Sequence, residues 1–147
     1  ICRSATLVPL GLFWLHLLRR FCEQIYFFPG SRDSQMHLTA YIFGFLYYFL
    51  VIFTIPDRIW YPFLFVLANA LQFLCHRALY LNRGNKSEVP KNWLFKYMAC
   101  PHYFSEMLIY ISLSSDLPSL CLSMFVIVSL SVNWCNQSKW YNSTKVE

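Results

Sequence analysis

Apolar residues fall in five long runs, Ile1 to Leu18, Leu38 to Ile55, Ile59 to Cys75, Leu94 to Leu113 and Leu117 to Trp134, with short polar intervals between them. Each run is close to the roughly 17–25 residues that a membrane-spanning helix needs. The runs are hydrophobic all round, so periodicity does not separate helix from strand, and length decides for helix. Pro56-Asp57-Arg58 and Ser115-Asp116-Leu117-Pro118 read as tight turns, because proline and aspartate end one helix and open the next. Runs two and three, and runs four and five, are then expected to pair as helical hairpins. The pattern predicts an all-α fold: a polytopic transmembrane helix bundle of about five helices in one domain, residues 1–147. The first run is already under way at Ile1, so the sequence reads as a fragment whose N-terminal spans are absent.

Composition agrees with that reading. The chain is 57% hydrophobic and 13% charged, against about 45–50% and about 25% in soluble domains. It points to membrane lipid, not nucleic acid, as the surrounding partner. Charge then supplies an orientation. Arg19, Arg20, Arg32, Arg77, Arg83, Lys86, Lys91, Lys96, Lys139 and Lys145 fall on one side of the five spans, and Arg3 and Arg58 on the other. The positive-inside rule puts the basic loops and the C-terminus in the cytosol. Three N-x-[ST] sequons, at Asn85, Asn136 and Asn142, lie on that side and read as chance matches of a short pattern. The six cysteines form no CxxC pair and are expected to be buried free thiols, with no metal site.

Three polar constellations interrupt the apolar pattern. His16, Arg19, Arg20 and Glu23 recur at spacings of three and four, which places them along one helical stripe, where Arg19 and Glu23 can pair. A membrane-edge ion pair explains this stripe as well as a functional site does. Gln72, His76 and Arg83 project within about 40° of one another on a helix. A positive-inside boundary accounts for Arg83 but not for Gln72, and an arginine there can grip a phosphate with its planar fork of donors. His102 and Glu106, four residues apart in the run 94–113, share one face. A carboxylate near mid-membrane costs about 2.5–3.5 kcal/mol on insertion scales, so it is rarely there without a partner. Tyr110 continues that face, and Ser138, Lys139 and Tyr141 follow the fifth run. No GxGxxG or Walker pattern is present, so a nucleotide would be held by helix faces and loops.

The segments LHLLRRFCEQIYF, AYIFGFLYYFLVIFTI, CHRALYLNRGNK, WLFKYMACPHYFSEMLIYISL and NQSKWY, in that order, resemble the C-terminal part of the steroid 5-alpha-reductase family. Within it the polyprenol-reductase subgroup fits best. The family pattern F-E-Y-V-S-S-P-N-Y-x-x-E corresponds to Phe95 to Glu106, and H-x-x-R-R-x-x-E to His16 to Glu23. The resemblance implies a multi-pass enzyme of the endoplasmic reticulum membrane that uses NADPH to reduce a carbon–carbon double bond conjugated to a carbonyl. The substrate implied is an isoprenoid lipid, polyprenol or polyprenal, converted to dolichol or dolichal for protein N-glycosylation. By position, Gln72, His76, Arg83, His102, Glu106 and Tyr141 are expected to bind the cofactor. The chain departs from the pattern in three places. His102 stands for the usual asparagine, Ser138 for a histidine, and Leu17 for the catalytic tyrosine of steroid-reducing members. Leu17 argues against a steroid and leaves the catalytic proton donor unknown. Other readings of the same residues are a steroid or trans-enoyl-thioester reductase of this superfamily, an isoprenylcysteine-type membrane methyltransferase, and an inactive helical scaffold.

Overall fold

A computed structural model of the chain describes residues 4–27, 38–54, 61–82 and 93–144. Among these residues the fold is all-α, with six helices: α1 (Ser4–Phe27), α2 (Leu38–Thr54), α3 (Pro62–Leu81), α4 (Trp93–Tyr97), α5 (Pro101–Leu113) and α6 (Leu117–Thr144). α3 and α6 are long and apolar enough to cross a membrane by length and composition.

Three helices outrun the apolar runs that predict them. α1 continues past Leu18 to Phe27, α3 past Cys75 to Leu81, and α6 past Trp134 to Thr144. Hydrophobicity marks where a helix is dry, not where its backbone bonds stop. The polar extensions stay helical because their side chains find partners one turn away, as Arg19 and Glu23 do.

The run 94–113 departs from the expected single span. It breaks at Met98-Ala99-Cys100 into α4 and α5. Pro101 is the cause: it has no N–H to donate, so it opens α5 at the first helical position. Tyr103 N–H donates to the Cys100 carbonyl at 3.1 Å to start the new helix. Cys100 and Pro101 are buried, so the break sits inside the protein. With 13 residues, α5 is about 20 Å long at 1.5 Å per residue, too short to cross a ~30 Å hydrocarbon layer alone.

The α5–α6 hairpin forms as expected. Ser119, in the first turn of α6, accepts from the backbone N–H of Ser115 (3.1 Å) and Asp116 (3.0 Å), which satisfies donors that would otherwise be orphaned at the helix start. Ser123 then donates to the Tyr110 carbonyl across the hairpin at 3.0 Å. The expected α2–α3 hairpin is not a main packing pair among the described residues, where α2 lies on α6 and α3 lies on α5 and α1. Its turn, Pro56-Asp57-Arg58, lies outside the described residues.

The core joins Phe13, Val51, Phe65, Ala68, Ile109, Tyr110, Leu113 and Val126 from α1, α2, α3, α5 and α6. Outside it, the helices present large apolar side chains, among them Phe45, Phe53, Phe63, Val66, Leu117 and Val128. An apolar exterior of this extent marks a surface made for lipid or for other helices. Cys75 and Cys100 are buried free thiols, as expected, whereas Cys22, Cys121 and Cys135 are exposed free thiols on that exterior.

Candidate functional site

Polar side chains from α1, α3 and α5 meet in one cluster beside this core. α1 contributes His16, Arg19, Arg20 and Glu23, α3 contributes Asn69, Gln72 and His76, and α5 contributes Glu106. All sit at i, i+3 or i, i+4 spacings on their own helices, so each helix turns one polar stripe inward.

Two carboxylates organise the cluster. Glu23 is 4% exposed. It accepts from Arg19, pairs with His76 Nδ1 at 2.6 Å and lies 3.5 Å from Arg20 Nη1. Burial alone would raise its carboxyl. The hydrogen bond from His76 and the charges of Arg19 and Arg20 outweigh burial and hold it below its ordinary value. Glu106 accepts from Gln72 Nε2, and lies 3.7 Å from Arg20 Nε and 3.9 Å from His16 Nε2. Gln72, with no exposure, is the bridge: its carbonyl accepts from Arg19 while its amide nitrogen donates to Glu106. With the histidines neutral, two guanidinium and two carboxylate groups balance.

Asn69 fixes the other end. Its amide nitrogen donates to the Phe65 carbonyl at 2.8 Å, which leaves Oδ1 as acceptor. Arg19 Nη2 donates to that oxygen at 3.1 Å, and His16 Nδ1 lies 2.8 Å from it. The Nδ1–H tautomer of His16 would donate to that oxygen, whereas the other would accept from Arg19 Nη2 at 3.3 Å; Nε2 is on the Glu106 side.

The residues expected from sequence to form the site sort clearly. Gln72, His76 and Glu106 come together. His102 adjoins them, its ring 5.8 Å from that of His76 and 4.2 Å from that of Tyr103. Its Nδ1 is buried without a hydrogen-bond partner among the described residues. Arg83 lies outside the described residues, and so does the side chain of Tyr141. Tyr110 belongs to the apolar core. The α1 stripe, which a membrane-edge ion pair explained equally well, is part of the cluster. Asn69 is the residue the sequence reading missed, although its spacing to Gln72 and His76 extends the same stripe. Among the described residues no group of three His, Cys, Asp or Glu side chains is placed to hold a metal ion. A separate cleft of about 220 Å³ lies between α3 and α4, lined by Cys75, Arg77, Leu81 and Phe95 among others.

A sequence profile described as 3-oxo-5-alpha-steroid 4-dehydrogenase matches residues 37–147. Among curated proteins, the chain is 32% identical over 139 residues to a polyprenal reductase of Xenopus tropicalis, covering 75% of this chain and 45% of the relative. It is 29% identical over 157 residues to a polyprenal reductase of Homo sapiens, covering 86% and 49%. It is 25% identical over 190 residues to polyprenal reductase 1 of Oryza sativa subsp. indica, covering 92% and 54%. The chain spans about half the length of the curated relatives it matches. No solved structure matches it.

Proposed function

Since the chain belongs to the 3-oxo-5-alpha-steroid 4-dehydrogenase family, we propose that it is part of an NADPH-dependent reductase of a polyprenyl lipid. The observation that carries this reading is the convergence of three polar helix stripes on Glu106 inside an otherwise apolar bundle. Relatives carrying the name polyprenal reductase supply the substrate class.

The donor set fits a nicotinamide nucleotide. His102 Nδ1 and Arg19 Nε are buried without partners among the described residues, and buried polar atoms are normally satisfied. A carboxamide and ribose hydroxyls offer partners for both. The balanced cluster has no surplus cation for a phosphate, so the phosphate is assigned to Arg83 by family position. An arginine beside the ribose suits NADP over NAD. Glu106, held by Gln72 and flanked by Arg20 and His16, is the acceptor that orients the carboxamide. Tyr141 is assigned to the same cofactor by family position. When bound, the cofactor supplies hydride, and that chemistry is its own. The protein's part is to bind and orient it.

The exposed apolar side chains face lipid, and the basic loops lie in the cytosol. The broken helix α4–α5 is tolerated at membrane depth because its break is covered by protein. Placement in the endoplasmic reticulum, and a role in making dolichol for N-glycosylation, follow from the substrate class. NADPH titration of the full chain tests the reading: binding that NADH does not match, and that Arg83→Ala abolishes, supports it. Binding of a sulfonium methyl donor in place of NADPH would turn the reading to a methyltransferase.

A further inference from the structure

An open cavity of about 410 Å³ beside α1 is lined, among the described residues, by Leu17, Arg20, Phe21 and Gln24. Its volume lies within the roughly 300–1,000 Å³ typical of small-ligand sites. Of its described lining residues, two are apolar, one is a neutral amide and one is a cation. Arg20 is the residue that connects it to the polar cluster. Arg20 Nη1 lies 2.9 Å from His76 Nδ1 and 3.5 Å from Glu23, and Nε lies 3.7 Å from Glu106. Nη2 makes no hydrogen bond or ion pair with the described residues among these contacts, and the side chain keeps 33% exposure. Nε and Nη1 are thus turned to the cluster, and Nη2 is left over on a side chain that also lines the cavity.

We propose that this cavity holds the oxygenated end of the lipid, with Arg20 donating from Nη2 to the carbonyl oxygen of a conjugated isoprenoid aldehyde. The proposal rests on the reductase reading above and names the substrate subsite within it. Leu17 and Phe21 contact the isoprenoid carbons. The guanidinium is always charged and has donors only, so it selects an acceptor oxygen and stabilises negative charge without giving up a proton. When bound, reduced nicotinamide would supply the hydride that forms a C–H bond at the β carbon and would be left oxidised. The displaced π electrons would move to the carbonyl oxygen as an enolate. A proton from water, added at the α carbon, completes the saturated aldehyde. Arg20 contributes where the charge develops, and preorganised donors of this kind are worth about 10²–10³ in rate. The buried carboxylate Glu23 and Glu106 hold the guanidinium in place so that it need not reorganise.

The test uses the full chain in lipid nanodiscs, with geranial labelled with ¹³C at the carbonyl as the probe. Difference infrared spectroscopy without cofactor reads the C=O stretch. The wild type is expected to lower its frequency relative to the probe in lipid alone. Arg20→Gln is expected to abolish the shift and reduce kcat about 100-fold or more, and Arg20→Lys to retain part of both. Gln24→Trp, which fills the cavity at an exposed helical position, is expected to raise the aldehyde KM and leave NADPH affinity unchanged. This second variant decides the matter if Arg20→Gln does not fold. A shift and turnover that survive Arg20→Gln, or an unchanged KM in Gln24→Trp, overturn the subsite while leaving the reductase reading intact. Failure of the wild type to bind NADPH or reduce geranial would instead overturn that reading and the subsite with it.

Discussion

Replacing Glu23 with glutamine removes a charge without changing side-chain shape. Glu23 is 4% exposed and serves Arg19, Arg20 and His76 at once. Breaking a buried ion pair by removing one partner costs about 3–5 kcal/mol, because the other charge is left uncompensated. The Arg19 and Arg20 side chains keep 23% and 33% exposure, so water screens part of the loss, and the glutamine oxygen still accepts one hydrogen bond. The expected destabilisation is about 2–3 kcal/mol. Titration of the full chain with a denaturing detergent in mixed micelles, followed by tryptophan fluorescence, measures it. A cycle with Arg19→Gln isolates the pair, and coupling of about 1 kcal/mol or more is expected for groups in one network. A loss under about 0.5 kcal/mol would class Glu23 with surface ion pairs and refute the view that it anchors the cluster.

Glu106→Gln leaves longer contacts, at 3.7 and 3.9 Å, so its cost should appear in ligand affinity: about tenfold weaker NADPH binding, read by calorimetry, for one lost charge-assisted hydrogen bond. Asn69→Leu removes the acceptor shared by His16 and Arg19 and should destabilise by about 1–3 kcal/mol; ¹⁵N spectra of His16 should show any Nδ1–H tautomer lost. The depressed carboxyl of Glu23 gives a pH dependence. The folded state binds fewer protons than the unfolded one below the ordinary value of 4.5, so stability is full above that value and is lost as pH falls through the lower folded value. Detergent unfolding midpoints from pH 7 to pH 3 should fall at the acid end in the wild type, and fall less in Glu23→Gln.

Much of the fold was legible in the residues. The run Leu38 to Ile55 matches α2 to within one residue, and α6 starts at Leu117 as expected. The break before Pro101 was hidden because an apolar run reports lipid contact and says nothing of a missing N–H. Helix ends were underestimated wherever polar side chains satisfy one another beyond the dry segment, as at Arg19 and Glu23. Each stripe of the site was visible from its spacing of three and four. Their convergence was not, because it depends on α3 packing between α1 and α5, and sequence spacing carries no inter-helix register. Asn69 extends the Gln72–His76 stripe by spacing, but its role is legible only once its partners His16 and Arg19 on α1 are known.

Hydride transfer at this site is the central claim, and deuterium reports it directly. The full chain and its Glu106→Gln variant would be given polyprenal and NADPH deuterated at the transferring position, with the product analysed by mass spectrometry and NMR. One deuterium at the β carbon of the saturated lipid in the wild type, with NADPH dependence shifted about tenfold in Glu106→Gln, is the predicted result. Unlabelled product, no product, or an NADPH dependence indifferent to Glu106 would contradict the account.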